Sequence, residues 1–264
     1  MVNMSKFETV KCDVNGGVAR IVLNRPQSMN ALNVQLMEEL LACLQQVSSD
    51  DHVKVVVLSG EGHAFSSGGD IKQMLMGLDN EQLFAVMDVI SDLVTTLYKM
   101  PKVTIAAIHG AAAGLGLSLA LAADYVICGD QAKVAMNFIG IGLIPDGAGH
   151  FMMERRVGEV KAKQLIWEGK VMSGLEAEAI GLVDQTAEES QLVEKVERLI
   201  HYIKQKPLKA MIATKTIYVE LQEAKLIQSL HLEKQAQINM RQTQDHQEGI
   251  QAFIEKRKPV FTGR

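Results

Sequence analysis

Ala64-Phe65-Ser66-Ser67-Gly68-Gly69-Asp70-Ile71-Lys72 has a counterpart further along the chain in His109-Gly110-Ala111-Ala112-Ala113-Gly114-Leu115-Gly116. Each follows a short β-branched run, Val53 to Leu58 and Val103 to Ile108, and each leads into a helical pattern. Tight strand-to-helix passages of this kind leave backbone N–H groups that the following helix cannot pair. Donors held in fixed positions are what a developing oxyanion needs.

On either side of these loops, strand-like and helix-like segments alternate. Phe7 to Val14 and Val18 to Leu23 flank Asn15-Gly16-Gly17, the signature of a hairpin. Arg25-Pro26-Gln27-Ser28-Met29-Asn30 reads as a loop, followed by a helical pattern over Val34 to Val47. Val53 to Leu58 is a near-continuous apolar run, as expected for a strand buried on both faces. A helix over Glu81 to Tyr98, a strand over Val103 to Ile108, a helix over Leu115 to Ala123 and a strand over Tyr125 to Cys128 continue the rhythm of an α/β core. From about Gly158 the pattern turns helical, over Lys161 to Trp167, Gly174 to Ile180, Glu189 to Lys204, Pro207 to Glu220, Leu226 to Gln242 and Glu248 to Lys256.

At 264 residues the chain suits one large domain or a domain with an appendage. Hydrophobic residues make up 47% and charged residues 22%, enough for a sizeable core. A net charge of −4, with no basic block longer than Lys256-Arg257-Lys258, argues against nucleic-acid binding. Cys12, Cys43 and Cys128 lack metal-ligand spacing and read as reduced, core-packed thiols of a cytoplasmic protein. Met1 to Lys6 carries no apolar signal region. The apolar stretch from Val103 to Cys128 is interrupted by His109, three glycines and Asp124, so it reads as strand plus helix and not as a membrane span.

At the two glycine loops the chain strongly resembles the crotonase (enoyl-CoA hydratase/isomerase) superfamily, and the resemblance runs essentially full length. Asn24-Arg25-Pro26 with Met29-Asn30-Ala31-Leu32 looks like the family's N-terminal loop. Ala64 to Ile71 resembles its first oxyanion loop, with Gly at the position often held by Ala, and Gly114-Leu115-Gly116 resembles its second. Ile141-Gly142-Leu143-Ile144-Pro145 with Gly147-Ala148-Gly149 matches the next active-site loop. Ala177-Glu178-Ala179, Gly181-Leu182-Val183 and Phe253-Ile254-Glu255-Lys256-Arg257 complete the set. The resemblance implies an α/β fold, a ββα spiral core over 1–200 with a helical C-terminal region over 201–264 that serves oligomerisation and active-site closure. It also implies a homotrimer or dimer of trimers, an acyl-CoA thioester substrate, no permanently bound cofactor, and Gly69 and Leu115 as the two oxyanion N–H donors.

Thioester chemistry follows from that likeness. The carbonyl acidifies its α-protons, and each N–H placed at the enolate oxygen lowers the barrier by a few kcal/mol. Family hydratases activate water with two glutamates, where this chain has Ser118 and Phe138. Neither side chain is a general base near neutral pH. A different carboxylate, Asp146, follows Pro145, where hydratases usually carry Gly. Relatives that shift double bonds in dienoyl-CoA or ring-modified phenylacetyl-CoA substrates carry a catalytic Asp there, and chlorobenzoyl-CoA dehalogenases use it as a nucleophile. A single carboxylate in an apolar pocket suits a proton shuttle. The alternative is that Asp146 caps a helix beginning near Gly147.

The resemblance extends substrate contacts along Arg25, Ala31, Ala64, Ser67, Gly68, Gly69, Asp70, Ile71, Lys72, Leu115, Ser118, Phe138, His150 and Lys256. Lys72 is placed near the CoA pyrophosphate, and Arg25 with Lys256 or Arg257 near the adenosine 3′-phosphate; solvated surface roles are the alternative for each. His150 is expected either to orient Asp146 or touch substrate, or to be a satisfied histidine. Asp70 is read as a helix cap and Asp124 as a helix terminator pairing with backbone or a basic group. Met74, Met76, Met87, Met136, Met152 and Met153 suit either an adaptable acyl pocket or ordinary core filling. The leading expectation is enoyl-CoA double-bond isomerisation through Asp146. The alternatives are an enoyl-CoA hydratase using Asp146 and a non-catalytic CoA-thioester-binding homologue.

Overall fold

The hairpin forms as its sequence requires. β1 (Val10–Asn15) and β2 (Val18–Leu23) pair antiparallel with Asn15 opposite Val18, so Gly16 and Gly17 alone make the turn. Their φ angles, +56° and +81°, belong to the primed two-residue turn that glycine enters without strain. The computed structural model describes residues 7–74 and 79–264, so Met1 to Lys6 and Met76, read above, lie outside the described residues.

α1 (Val34–Ser49) starts on Asn33, whose Oδ1 accepts the Leu36 N–H at 3.0 Å. β3 (Val55–Gly60) follows, then the short α2 (Ile71–Met74) and α3 (Asn80–Lys99), which opens on a capping box between Asp79 and Gln82. The chain then runs through β4 (Val103–Ile108), β5 (Ala111–Ala113), α4 (Leu115–Leu121), β6 (Tyr125–Gly129) and β7 (Lys133–Ala135). A 3-10 turn over Phe138–Ile141 precedes α5 (Gly149–Val157) and α6 (Glu159–Glu168). β8 (Met172–Ser173), α7 (Gly174–Ala179), β9 (Gln185–Ala187) and α8 (Leu192–Lys204) complete the mixed region. α9 (Leu208–Arg241) and α10 (Gln244–Glu255) end the chain. Residue 201 falls inside α8, and α9 is one helix of 34 residues where the sequence suggests two.

The main sheet has the order β1-β2-β3-β4-β6-β9, parallel from β2 onward. Its central strands are covered on both faces. Val55, Val57, Val103, Ile105 and Ile127 pack against Leu192, Val196, Ile200 and Ile203 of α8. Val56, Leu58, Ala106, Ile108 and Val126 face the larger core formed with α1, α3 and α4. A second sheet has the order β5-β7-β8, and bridges Ser66–Ala112 and Leu32–Gly69 extend it. Each pass of the chain therefore adds a strand to the first sheet and then a piece to the second: β3 then Ser66, β4 then β5, β6 then β7. That repeat is the ββα spiral.

Cys43 and Cys128 are buried, Cys12 is half-buried and all three are free thiols. Met87, Met136, Met152 and Met153 are core residues. No helix among the described residues is long and apolar enough to cross a membrane, and no group of three His, Cys, Asp or Glu side chains there is set to hold a metal.

Candidate active site

The two glycine loops interlock. Ser66 N–H bonds the Ala111 carbonyl and Ala113 N–H bonds the Ser66 carbonyl, both at 3.0 Å. A Cβ on Gly68 (φ +95°) would lie 2.7 Å from the Ala113 carbonyl oxygen, and one on Gly116 would lie 2.7 Å from Ser66 Cβ. Only glycine allows this approach at both points. Gly68 and Gly116 thus bracket Gly69 and Leu115, and among the described residues neither of those two N–H groups has a hydrogen-bond partner. Leu115 is the first residue of α4, so its N–H is one that the helix itself cannot pair.

The N-terminal loop braces the first glycine loop. Asn30, fully buried, donates through Nδ2 to the carbonyls of Glu61 (2.9 Å) and Ala64 (2.7 Å), while Ser66 Oγ donates to its carbonyl at 2.8 Å. Ser67 N–H bonds the Met29 carbonyl, and Leu32 N–H bonds the Gly68 carbonyl. Arg25 is held by Asp70 at 3.0 Å and donates to the Ala31 carbonyl. Its charge stitches these loops together, so the phosphate role expected from the sequence competes with an ion pair already made. Ala64 is buried, Ile71 half-buried and Lys72 exposed at the start of α2.

The Asp146 loop closes on the second glycine loop. A Cβ on Gly147 (φ +62°) would lie 2.6 Å from Leu115 Cδ1 and 3.3 Å from Ser118 Cβ. Ser118, fully buried, donates from Oγ to the Asp146 carbonyl at 2.8 Å. Where family hydratases carry a glutamate, this chain therefore carries a brace for the Asp146 backbone. Phe138 is half-buried, its ring within 3.5 Å of a Cβ placed on Gly114.

Asp146 is buried, and its Oδ1 has no hydrogen-bond partner among the described residues. Burial, reinforced by repulsion from the Glu233 carboxylate, pushes its pKa up to about 8. The helix expected near Gly147 begins at Gly149, and its N-terminus is capped from α9. Glu233 Oε2 accepts the Ala148 N–H at 2.7 Å, and Oε1 accepts the His150 N–H at 3.0 Å. The capping reading of Asp146 is therefore corrected: Glu233 has that role. His150 Nδ1 lies 2.7 Å from Glu233 Oε1, so the ring is oriented by Glu233 and not by Asp146.

Glu233 and Gln237 are the site residues that sequence reasoning missed. They lie one turn apart on α9 and are both buried, Gln237 donating to the Ile144 carbonyl at 2.6 Å and to Asp146 Oδ2 at 3.5 Å. The signal was there: Leu226, Leu230, Glu233 and Gln237 form one buried helical stripe that turns polar at its end. Lys256 is exposed at the C-cap of α10, whose His246 Nδ1 meets the Ile141 carbonyl at 2.7 Å. Asp124 accepts from Thr104 N–H (2.8 Å) and Lys215 (2.9 Å), the structural role the sequence suggests.

A ββα spiral presenting two interlocked glycine loops defines the class as the crotonase superfamily. The profile described as enoyl-CoA hydratase/isomerase matches residues 13–264, and the chain belongs to that family of enzymes. YhaR of Bacillus subtilis, assigned to the enoyl-CoA hydratases/isomerases, is 50% identical over 97% of this chain and 99% of its own. The trans-2-decenoyl-[acyl-carrier-protein] isomerase of Streptococcus mutans is 30% identical over 98% and 99%. The crystal structure of an enoyl-CoA hydratase from Mycobacterium avium subsp. paratuberculosis superposes with a TM-score of 0.88 at 29% identity, covering 97% of this chain and 99% of that one.

Proposed function

We propose that this enzyme isomerises the double bond of an enoyl thioester, with Asp146 as the proton shuttle and the N–H groups of Gly69 and Leu115 at the enolate oxygen. The observation that carries the reading is the Asp146 carboxyl itself, buried, released from helix capping by Glu233, and with Oδ1 unpaired among the described residues. The Asp146 carboxylate takes a proton from one carbon of the acyl chain, and the electron pair moves through the conjugated system onto the thioester oxygen. The same proton then returns from the carboxylic acid to the carbon two positions along, so the product has the composition of the substrate. The likeness to the S. mutans isomerase supports this reading.

Hydration is disfavoured because Ser118 is committed to the Asp146 carbonyl and Phe138 has no acid–base group. Mass spectrometry of products from a panel of 2-enoyl- and 3-enoyl-CoA thioesters tests the choice. Isomerisation is expected to leave the mass unchanged while moving the double bond. A product heavier by one water, formed at hundreds to a thousand turnovers per second, the upper range for enzymes, would make the protein a hydratase. No turnover with any thioester would leave a CoA-thioester-binding homologue.

Lys72 and Lys256, both exposed, are assigned to the CoA phosphates. The helical C-terminal region is assigned to a homotrimer or dimer of trimers, because α9 leaves Ile217, Leu221, Ile227 and Leu232 exposed. A monomer alone in light scattering at micromolar concentration would count against that assembly.

A further inference from the structure

The loop from Ile144 to His150 is fixed almost entirely by groups outside it. Gln237 holds the Ile144 carbonyl, Ser118 holds the Asp146 carbonyl, and Glu233 holds the N–H groups of Ala148 and His150. With the backbone pinned on both sides of Asp146, what is left to set is the rotation of its carboxyl group. Among the described residues, the single side-chain donor to that group is Gln237 Nε2, 3.5 Å from Oδ2. Two atoms of this pair, Asp146 Oδ1 and Gln237 Oε1, are buried without a partner among the described residues. Buried polar atoms are nearly always paired in folded proteins, so two unpaired ones on adjoining side chains single this pair out for a role beyond stability.

We infer that Gln237 is a positioning residue, anchored to the Ile144 carbonyl, that holds Oδ2 of Asp146 and leaves Oδ1 as the oxygen that exchanges the proton. The inference rests on the reading of Asp146 as the shuttle. Anchoring matters because an amide tied to a main-chain carbonyl cannot follow the carboxyl as it rotates. The 3.5 Å contact is long, as is usual for such hydrogen bonds before substrate tightens the site. A donor there favours the charged carboxylate over the acid, which opposes the upward pull of burial and of Glu233. Gln237 would then set both the direction of the carboxyl and the balance between its two protonation states.

The test uses the full-length protein, Gln237→Met, which keeps size but removes donor and acceptor, and Gln237→Glu, which removes the donor and adds charge. The titration midpoint of Asp146 is read by pH-difference infrared spectroscopy, its carboxyl band assigned by loss in Asp146→Asn. Both Gln237 variants are expected to raise the midpoint by half a pH unit or more, Gln237→Glu by the larger amount. Isomerisation of trans-3-hexenoyl-CoA to the conjugated 2-enoyl thioester, followed by ultraviolet absorbance, is read beside it, with kcat falling at least tenfold in Gln237→Met and KM moving less than threefold.

A midpoint unchanged in whichever of the two variants folds overturns the inference, whatever happens to the rate. A fall in melting temperature and rate together, with the midpoint unmoved, shows a merely structural glutamine and overturns it too. Asp146→Asn separates the two levels. If that variant keeps isomerising the substrate, the shuttle reading has failed; if it stops while Gln237→Met keeps wild-type rate and midpoint, only the role of Gln237 has failed.

Discussion

Glu233 Oε2 accepts the Ala148 N–H at 2.7 Å, so the carboxylate that caps the helix after the active-site loop comes from α9 and not from Asp146 two residues earlier. Asn and Asp serve nearly equally well as helix caps, so a capping aspartate would tolerate Asp146→Asn with little change. Here the substitution is expected to preserve fold and thioester affinity while lowering turnover about a hundredfold or more, the usual scale for general acid–base catalysis. The rate of isomerisation of a 3-enoyl-CoA thioester, with binding followed separately, checks it. A folded variant turning over at the wild-type rate would return the catalytic group to unknown.

The same substitution has a stability signature of opposite sense. The folded protein holds the Asp146 proton up to about pH 8, against 3.8 for the free side chain. Between those values the folded state binds a proton that the unfolded state has released, so this group's contribution to stability is full below the lower value and is lost as pH rises to the upper one. Asparagine carries no such dependence. Asp146→Asn is therefore expected to be more stable than wild type near pH 8.5, by on the order of a few kcal/mol, with the advantage shrinking toward pH 5. Urea denaturation at both pH values measures it, and a difference independent of pH would contradict the buried, protonated carboxyl.

How much of this could be read from the sequence differs from element to element. The hairpin was legible because Asn15-Gly16-Gly17 is local chemistry: two adjacent positive φ angles leave few other turns. β5 was hidden inside a glycine loop, because Ala111 to Ala113 carry no β-branched signal and pair with β7, some twenty residues on. α9 looked like two helices because its apolar period lapses over Gln222-Glu223-Ala224-Lys225, yet each of those residues is a good helix former and none stops the chain. Asp146 was identifiable from its loop. Its partners on α9 lie more than eighty residues away, and only the fold brings Glu233 and Gln237 to it.

The pH–rate profile follows from which form does the work. Only the deprotonated carboxyl can take the first proton, so kcat/KM is expected to rise with pH and level off above about 8. Glu233→Gln keeps an oxygen for the Ala148 or His150 N–H but removes the charge that disfavours ionisation of Asp146. Its rising limb is expected at lower pH. The displacement should be smaller than the whole shift, because burial, the larger cause, remains. A limb that stays in place, or one that survives in Asp146→Asn, would detach the profile from this carboxyl.

The spacing of the two glycine loops can be tested apart from the acid–base chemistry. Alanine at Gly68 would suffer twice: from its φ of +95°, and from a Cβ 2.7 Å from the Ala113 carbonyl oxygen, a backbone atom that moves only if the loops part. Gly158, between α5 and α6, offers a control with φ +76° and nothing within 4 Å of an added Cβ. Both Gly→Ala changes carry the backbone penalty of a positive φ, roughly 1–3 kcal/mol, and both should lower the melting temperature. Only Gly68→Ala is expected to lose more than tenfold in kcat, because it alone separates the N–H of Gly69 from that of Leu115, and one misplaced oxyanion donor costs a hundredfold or more. Circular dichroism and steady-state kinetics on the two variants side by side decide the matter. Equal kinetic losses would show that strain alone explains the effect, and an active Gly68→Ala enzyme would mean that the enolate oxygen is held elsewhere.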